Sequence, residues 1–331
     1  MISHRKRIVP FWTIPGKKIM SRLLRKQVMN MNDAKFYGDY PNVKSTEKKN
    51  VSIGFIGAGK VACSLGKWFS MGGLRLSGYA SRTHQSAAFA AQFTESQVFE
   101  NVEDLLISSD IIFLTANDGE LKGLYQSLDE NIIQNKILAH CSGSLTVKEV
   151  FGERSNCFSL HPLYPFSSKT DCYKGLSGSF FTLEAADTYS KESASLIEDM
   201  VKGCGGNISR IEGDKKSIYH ASCVFASNLV CAVLEESCGL MEECGFKKEE
   251  AINALAPLIR ANIDSSIKLG PENALTGPVE RNDSSTVEKH LEALAGSDSL
   301  EVYRVLSKKL VEIGEVRHPD RDYAKIRRLL E

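Results

Sequence analysis

Length, composition and charge exclude several classes of protein. The chain has 331 residues, 42% of them hydrophobic and 25% charged, and its formal net charge is zero when the histidines are neutral. This length suits two domains of ordinary globular composition, and no uncharged, unbroken apolar run approaches the ~20 residues that span a bilayer. We therefore expect a soluble, cytoplasmic protein that does not enter a membrane.

The charge is distributed unevenly along the chain. Residues 1–50 carry 12 Lys and Arg against 3 Asp and Glu, whereas residues 51–331 carry 29 against 38. An acidic main body argues against nucleic acid as a partner, because such binding needs a basic face. We interpret residues 1–50 as a disordered basic extension or an over-extended start, with a mitochondrial-type presequence as the alternative.

The cysteines exclude two further kinds of architecture. Nine are spread along the chain without any CxxC pair. This spacing is typical neither of a zinc site nor of a disulfide scaffold, so we predict no metal site and free thiols in a reducing compartment. Most are expected to be small core residues, with Cys231 and Cys238 seven positions apart on one helix face.

Short apolar runs alternate with helical patterns from Val51 onward. The predicted strands cover 51–56, 74–80, 111–115, 137–140, 156–160 and 178–183, and the predicted helices between them cover 60–71, 83–92, 119–128 and 145–151. Strands that alternate with helices of crossover length predict a parallel sheet covered by helices. The first half of the chain is therefore predicted to be an α/β domain.

The pattern changes after about Gly213, where strand-like runs give way to apolar residues at helical spacing. One long helix is predicted from Ile218 to Cys244, and a second from about Lys248 to Leu269. The predicted organisation is a basic extension at 1–50, an α/β domain at 51–185, a connecting segment at 186–213 that completes the sheet, and an all-α domain at 214–331.

A glycine-rich turn follows the first predicted strand. Gly57, Gly59 and Ala62 form the pattern G-x-G-x-x-A between a strand and a helix. The first glycine permits a tight turn, the second lets the backbone approach a pyrophosphate, and the small third residue allows close packing of helix on strand. The fold class is thus predicted to be an α/β N-terminal Rossmann domain with a parallel sheet, followed by an all-α C-terminal domain. The predicted cofactor contacts of this turn are Gly57, Ala58, Gly59, Lys60 and Val61.

The residues after the second predicted strand bear on the choice of cofactor. Ser81, Arg82 and Thr83 begin 24 residues after Gly57, where an NAD enzyme usually carries an acid. A guanidinium beside hydroxyls neutralises and hydrogen-bonds a 2′-phosphate, whereas a carboxylate repels it. Arg82 therefore favours NADP over NAD, and the alternative is a solvated arginine at a strand end.

Two further strand ends supply candidates for the nicotinamide side of the cofactor. Ala116, Asn117 and Asp118 follow one predicted strand, and Ser142 follows the next. Ligands of open α/β sheets bind at the carboxyl ends of the strands, so these residues are predicted to contact the cofactor. The alternatives are that Asp118 caps the next helix and that Ser142 only forms a turn.

Further stretches are specific in order and spacing. They are His140–Ser144, Ser159–Phe166 and Leu275–Asp283, together with Tyr219–Ser222 and Ser227–Asn228. They resemble the Rossmann-like oxidoreductases that carry domain of unknown function 2520 at their C-terminus. The resemblance covers roughly residues 51–310 and implies a relation to the 6-phosphogluconate dehydrogenase-like enzymes, among them ketopantoate reductases and prephenate dehydrogenases. In these enzymes the substrate binds between a Rossmann domain and a helical domain. Asn282 departs from the family, which more often has glycine there, and this could stiffen the loop.

Reduction of a ketone needs a proton donor for the developing alkoxide. His220 has Lys216 four residues before it, Ser227 seven after and Asn228 eight after, so all four are predicted to project toward one side of the long helix. In ketopantoate reductases a similar helix supplies a lysine acid and an asparagine eight residues later, the spacing of His220 and Asn228. The resemblance thus implies that His220, Asn228 and Lys216 are catalytic and that Ser227 binds substrate. The alternative is a polar stripe that satisfies itself at a domain junction.

His161 is the other candidate acid. It follows a predicted strand and precedes Pro162, whose ring fixes an extended conformation at the histidine. Prephenate dehydrogenases also have a His-Pro pair near the cleft, so a prephenate- or arogenate-like dehydrogenase is the enzymatic alternative. A structural histidine that bonds to backbone is the simpler interpretation.

The loop-like segment from Thr276 to Arg281 carries the candidate substrate clamp. Arg281 can hold a carboxylate through two hydrogen bonds, and Thr276 and Asp283 are predicted to assist it. The alternative is that Asp283 or Ser284 caps the next helix and that Arg281 is solvated.

The leading hypothesis is an NADP-dependent reductase of a small 2-oxo acid. Ketopantoate, reduced to pantoate in pantothenate biosynthesis, is the most concrete candidate that the resemblance implies. A non-catalytic NADP-binding sensor is the alternative outside the enzymes. The apolar helix and the resemblance also predict a homodimer, formed through the helical domain.

Overall fold

A computed structural model describes residues 51–186 and 189–331, so the segment predicted to be a basic extension, 1–50, lies outside the described residues. The chain divides into two units, one that ends at Lys216 and one that runs from Ser217 to Glu331. The first unit contains all the strands of the described residues, and the second is helical. The predicted fold class is confirmed.

One eight-stranded sheet forms the centre of the first unit. Its strands are β1 (Ser52–Ile56), β2 (Arg75–Ala80), β3 (Gln97–Val98), β4 (Ile111–Leu114), β5 (Ile137–His140), β6 (Cys157–Pro162), β7 (Phe180–Ala185) and β8 (Asn207–Arg210). Their order across the sheet is β3-β2-β1-β4-β5-β6-β7-β8. The chain order reverses at β1, which has β2 on one side and β4 on the other. Open α/β sheets bind their ligands at such a switch point.

The prediction of a parallel sheet holds for every neighbouring pair except β6 and β7, which run antiparallel. A parallel connection needs a crossover, usually a helix. The segment between β6 and β7 has only a short 3-10 turn at Cys172–Gly175, so the chain returns in the opposite direction. Strand β3 was not predicted, because it has only two residues. Strand β8 lies in the segment 186–213 that was predicted to complete the sheet, although its own bounds were not predicted because it is a polar edge strand.

Helices cover both faces of the sheet. They are α1 (Lys60–Met71), α2 (His84–Thr94), α3 (Val102–Ile107), α4 (Asp118–Gln126), α5 (Glu130–Ile133), α6 (Val147–Phe151) and α7 (Lys191–Gly203). Successive residues of a strand point to opposite faces, so Phe113 and Leu114 of β4 belong to two different buried clusters. In the first of these clusters the Phe55 ring stacks on Tyr79 and Phe113, with centroids 5.1 and 5.3 Å away.

The remaining helices form the second unit. The first of them begins at Lys216, which is the last residue of the first unit. They are α8 (Lys216–Ala226), α9 (Asn228–Glu243), α10 (Lys248–Leu269), α11 (Pro271–Ala274), α12 (Ser284–Ala293), α13 (Ser299–Arg317) and α14 (Ala324–Leu330). The buried apolar cluster of this unit is small and consists of Val279, Val287, Val311, Tyr323, Ile326 and Leu330. Much of the apolar surface of α8, α9 and α10 is therefore left exposed.

The single long helix predicted from Ile218 to Cys244 is wrong, since α8 and α9 are separated at Ser227. That residue has φ −132° and ψ −79°, outside the helical region. Its hydroxyl donates a hydrogen bond to the carbonyl of Cys223 at 2.6 Å. Such a bond to the carbonyl four residues earlier bends helices. Residues before and after the break therefore do not share one continuous helix face.

The stretch Gly213–Glu243 is the one in the described residues that is long and apolar enough to cross a membrane, judged by length and composition only. This corrects the expectation that no segment has such a composition. One such stretch is weak evidence, and this one is largely exposed and is interrupted at Ser227. Its composition is therefore weak support for a membrane location.

Candidate functional site

The first turn of the site is built around Gly57. Its backbone has φ +109°, and its N–H donates to the carbonyl of Ala80 at the end of β2, at 2.8 Å. A Cβ atom on Gly57 would lie 2.7 Å from Oγ1 of Thr115 and 3.0 Å from its carbonyl oxygen. Only glycine fits, because a side chain would meet both this conformation and the end of β4.

The next feature is the N-terminus of α1. Gly59 is its N-cap, supplies no side-chain hydrogen bond to the first turn, and would have no atom within 4 Å of an added Cβ. The first N–H groups of this 12-residue helix thus lack a side-chain partner, and the space over Gly59 is open. An anion such as a pyrophosphate fits this arrangement. Lys60 is exposed at the same place, whereas Ala62 is fully buried, as the packing role predicted for it requires.

Arg82 lies directly after β2, between Ser81 and Thr83. Its side chain is 80% exposed, and its Nη1 donates to Oε1 of Glu120 in α4 at 2.5 Å. The hydroxyl of Thr83 donates to Ser86 at 2.9 Å. Arg82 therefore lies at the carboxyl edge of the sheet, and a phosphate at this edge would compete with Glu120 for the guanidinium.

Asp118, which follows β4, is hydrogen-bonded to the loop that follows β5. Asn117 is the N-cap of α4, and the carboxylate of Asp118 does not cap that helix. Its Oδ2 accepts hydrogen bonds from the hydroxyls of Ser142 and Ser144, both at 2.8 Å. The Ser142 hydroxyl also accepts from the backbone N–H groups of Ser144 and Leu145, at 3.2 and 3.0 Å. The loop after β5 is thus folded onto an acid at the switch-point edge.

A buried polar row crosses the next three strands. His140 lies opposite Ser159, and Ser159 lies opposite Glu184, in the register of β5, β6 and β7. The ammonium of Lys216 donates to Oε2 of Glu184 at 2.8 Å and to the hydroxyl of Ser159. Oε1 of Glu184 accepts from the backbone N–H of Val147 at 2.8 Å. Both charged side chains are buried, Lys216 being 1% exposed and Glu184 4%.

This placement corrects the prediction that Lys216 is a catalytic residue on one helix face with His220. Burial lowers the pKa of Lys216 below its ordinary value, and the Glu184 carboxylate opposes that shift. Burial also lowers the pKa of His140 well below its ordinary value, and the nearby Lys216 charge acts in the same direction. The His140 imidazole is therefore neutral near pH 7, and its Nδ1 accepts from the N–H of Ser142 at 3.2 Å.

His161 lies inside β6 rather than after it, because the strand continues through Pro162. It is half-buried and stands opposite Thr182 of β7. β6 runs parallel to β5, so His161 still lies toward the same carboxyl edge as the glycine turn. Its position near that edge agrees with the prediction. The difference is that His161 is paired within the sheet, whereas it was predicted to follow the strand.

In the helical unit, His220 is half-buried on α8, and Asn228 is the first residue of α9. The hydroxyl of Ser227 donates to the carbonyl of Cys223, with Oδ1 of Asn228 3.0 Å away. We predicted that His220, Ser227, Asn228 and Lys216 project from one face of a continuous helix. This prediction is wrong, because the helix is broken at Ser227 and because the Lys216 ammonium is bound to Glu184.

The loop that contains Arg281 is shaped by its neighbours. Asn282 has φ +58°, a left-handed conformation that asparagine tolerates better than most residues, and its Nδ2 donates to the carbonyl of Asp322 at 2.7 Å. This explains how asparagine replaces the usual glycine. Arg281 and Thr276 are exposed. The loop thus presents the guanidinium from a fixed backbone.

Asp283 is the N-cap of α12, which corrects the prediction that it binds substrate. Its carboxylate accepts from the N–H and the hydroxyl of Thr286, at 3.1 and 2.7 Å, and from the hydroxyl of Ser285 at 2.8 Å. The Thr286 and Ser285 hydroxyls are the main reason that the pKa of Asp283 is lowered to about 2. The carboxylate is therefore already used by the helix.

Sequence reasoning missed Glu184, Ser144 and Glu120 as parts of this site. Glu184 follows an apolar strand pattern, and a buried acid requires a partner. That signal was present, but the partner is 32 residues away and could not be identified from spacing. Among the described residues, no group of three or more His, Cys, Asp and Glu side chains could hold a metal ion.

Two domain models match the chain. Residues 39–153 match the model of a Rossmann-like domain, and residues 179–310 match that of domain of unknown function 2520. No curated protein matches the sequence significantly.

Solved structures share the fold. A Bacteroides fragilis protein assigned as an NADP oxidoreductase is 23% identical, with a TM-score of 0.65 over 79% of this chain and 98% of that one. A Thermotoga maritima protein is 22% identical, with a TM-score of 0.63 over 80% and 98%. The Plasmodium falciparum pyrroline carboxylate reductase with NADP bound is 15% identical, with a TM-score of 0.54 over 82% and 98%.

The motif-based resemblance is confirmed by the two domain models. At these low sequence identities, the solved structures support the fold of the chain and do not show its activity. The chain is a protein in which a Rossmann-like domain is followed by domain of unknown function 2520.

Proposed function

We propose that the chain is an NADP-dependent oxidoreductase that reduces a small 2-oxo acid, with ketopantoate as the first substrate to test. The observation that carries the proposal is the turn from Gly57 to Gly59, which lies at the switch point of the sheet and leads into the uncapped N-terminus of α1. Two solved structures of the same fold support this cofactor, since one is of a protein assigned as an NADP oxidoreductase and the other is of a reductase with NADP bound.

The residues present fit such a cofactor. Gly59 and the first turn of α1 would hold the pyrophosphate, and Arg82 the 2′-phosphate. Asp118 and Ser142 would line the nicotinamide side. When bound, NADPH supplies the hydride for reduction of a carbonyl.

The chain itself must supply a proton donor and a carboxylate clamp. His220 and His161 remain the candidate donors, because the ammonium of Lys216 is buried in an ion pair. Arg281 is the candidate clamp, since it is exposed on a loop whose backbone is fixed by Asn282. A guanidinium can bind a carboxylate through two parallel hydrogen bonds.

The cofactor proposal is tested by Gly59→Ala. The added methyl group meets nothing within 4 Å in the protein, so the fold is expected to be retained, but it would occupy the place of the pyrophosphate. We expect NADPH affinity, measured by fluorescence titration, to fall at least about tenfold. The matched control is Gly203→Ala at the end of α7, where an added Cβ also meets nothing. Equal affinity of both variants and the wild type would contradict the proposal.

Turnover decides between the candidate functions. Oxidation of NADPH with ketopantoate supports the leading proposal, whereas reduction of NADP with prephenate supports the dehydrogenase. Pyrroline carboxylate belongs in the same panel because a reductase of that acid shares the fold. NADPH binding without turnover on any panel member, together with no effect of His220→Ala in cells, supports a sensor.

We infer further that the protein is a soluble, cytoplasmic homodimer that pairs through α8, α9 and α10. Ile218, Phe225 and Ile267 are 71%, 69% and 80% exposed on these helices. The 22 residues of α10 extend over about 33 Å, long enough for an interface of roughly 800 Å² per partner. A second copy fits this surface better than a bilayer does, because the apolar stretch is broken at Ser227.

Light scattering after size exclusion, without detergent, tests the dimer. The wild type is expected to be dimeric, and the double variant F225D/I267D monomeric with unchanged circular dichroism. Ile107→Asp is the matched control, since Ile107 is 66% exposed on the first unit and should leave the dimer intact. A monomeric wild type, or one that needs detergent to stay in solution, would contradict this inference.

A further inference from the structure

Burying the ion pair of Lys216 and Glu184 costs desolvation free energy, so good packing alone does not explain why the pair is present. Taking two opposite charges out of water is offset only when the geometry is good and the remaining hydrogen-bonding groups are satisfied, and apolar residues of similar size are often at least as stable. Both side chains are almost completely buried. The hydrogen bonds that satisfy them therefore indicate what the pair does.

Those hydrogen bonds lead to the two ends of one loop, residues 141–146, which connects β5 to α6. At its far end, Oε1 of Glu184 accepts from the N–H of Val147 at 2.8 Å. At its near end, the hydroxyl of Ser159 donates to the carbonyl of Ser142 at 3.2 Å, and that same hydroxyl accepts from Lys216. The Lys216 ammonium thus binds both Glu184 and Ser159, the two side chains that attach the loop.

The loop held in this way is the one that contacts Asp118. The hydroxyls of Ser142 and Ser144 both donate to the Asp118 carboxylate, at the carboxyl edge where β4 ends. A shift of the loop relative to the sheet would break these bonds. Side chains that line a reacting group must be held within a fraction of an ångström, and buried hydrogen bonds are a common means of doing so.

We propose that Lys216 is a positioning residue for the nicotinamide end of the site, acting through Glu184 and Ser159 on the loop at 141–146. The inference rests on the proposed function, because it assigns this loop to the nicotinamide side. Lys216 touches neither cofactor nor substrate in this role. It fixes the backbone that presents Ser142 and Ser144.

The test uses two variants of the full chain. Ser159→Ala removes the attachment at Ser142 without leaving a buried charge unpaired, so it is expected to fold. The double variant K216M/E184Q removes both charges together, which avoids the large penalty of an unpaired one. Lys67→Met is the control, because Lys67 pairs with Glu95 at the surface of the same unit.

Amide hydrogen exchange reports on the loop without any need for turnover. We expect exchange in the peptide that covers 141–147 to become at least about tenfold faster in both variants, while the peptide of α1 and the Lys67→Met control stay unchanged. Unchanged protection of the loop in both variants would overturn the inference.

NADPH binding provides the second measurement. The pyrophosphate turn is not altered, so NADPH affinity is expected to stay within about twofold, while the fluorescence of the bound nicotinamide changes because its surroundings loosen. With a substrate that the wild type turns over, kcat should fall and NADPH KM should not. Faster loop exchange with unchanged nicotinamide fluorescence would overturn the positioning role. A wild type that does not bind NADPH would overturn the proposed function instead, and hydrogen exchange still decides whether Lys216 holds the loop.

Discussion

The two units of this protein use the same kind of sequence pattern in different ways. In the first unit the apolar faces of α1 and α2 are buried against a sheet, and aromatic rings such as Phe55 and Phe113 stack at its centre. In the second unit, α8, α9 and α10 carry apolar residues at helical spacing that are exposed. The pattern specifies an apolar face, and it does not specify what covers that face.

This difference divides the expected functions. The first unit contains the glycine turn, Arg82 and the loop at 141–146, to which the proposed function assigns cofactor binding. The second unit contains the exposed Arg281 and the apolar helices, to which the proposed function assigns substrate and subunit recognition. Substitutions in the two units should therefore affect different measurements.

The largest expected effect is on the stability of the first unit. Phe113→Ala removes a fully buried ring from the centre of the sheet, and such truncations cost about 3–5 kcal/mol. Ile267→Ala, at an 80% exposed position of α10, should change the free energy of unfolding by less than about 0.5 kcal/mol at dilutions where the protein is monomeric. Urea denaturation followed by circular dichroism measures both, and the fluorescence of the buried Trp68 reports on the first unit. Equal losses would contradict the comparison.

The next largest effect concerns ligand binding. Arg82→Ala should weaken NADPH binding about 10- to 100-fold, because a charge-assisted hydrogen bond contributes about 1.5–3 kcal/mol. NADH binding should change little, since NADH lacks the 2′-phosphate. Arg281→Ala should instead raise KM for a carboxylate substrate and leave the Kd of NADPH unchanged. An equal loss of NADPH and NADH affinity in Arg82→Ala would mean that Arg82 does not recognise the phosphate.

A smaller change in the opposite direction tests the role of Glu120. This carboxylate accepts from Arg82 at 2.5 Å and would compete with the phosphate. Glu120→Gln should therefore tighten NADPH binding by a few-fold, an effect that weakens as salt screens the charges. Glu103→Gln on α3 serves as a control for loss of one surface charge. Weaker NADPH binding in Glu120→Gln would contradict this competition.

The last prediction concerns a helix cap beside the site. Thr146 and Glu149 form a reciprocal capping box at the start of α6, so Thr146→Ala should cost about 1 kcal/mol near pH 7. The backbone N–H and the hydroxyl of Thr146 lower the pKa of Glu149 from 4.5. This carboxylate therefore stabilises the fold above its ordinary pKa and loses that contribution as the pH falls through its lowered value.

Urea denaturation of Thr146→Ala and the wild type at pH 7 and pH 3 measures this effect. The difference between them should be smaller at pH 3, where Glu149 is increasingly protonated. In the helical unit the corresponding cap is Asp283, whose pKa is about 2, so its contribution should persist to lower pH. A difference in the free energy of unfolding that is larger at pH 3 than at pH 7 would contradict the assignment of the capping box.

Much of the fold could be predicted where a local pattern and a local cause coincide. The bounds of α1 and α10 agree with the prediction at both ends, because each begins and ends at turn or capping signals beside a clear apolar periodicity. The glycine turn was predictable for the same reason. Its requirements are those of a few consecutive residues, and the φ of +109° at Gly57 satisfies them.

The site was predictable only in part. The sequence placed Arg82, Asp118 and Ser142 at strand ends, and these residues do lie at the carboxyl edge. It also assigned Lys216 to a helix face with His220 and Asn228, which requires a continuous helix. A side-chain hydrogen bond of Ser227 and a buried acid on β7 prevent that arrangement. Neither interaction leaves a periodic signal.

Local sequence patterns specify most of the element order, the α/β-then-helical division and the glycine turn, because these depend on residues close together along the chain. Tertiary structure decided the antiparallel β7, the break at Ser227 and the pairing of Lys216 with Glu184. The physical reason is distance along the chain. Buried charges take the partner that folding brings to them, here one 32 residues away along the chain.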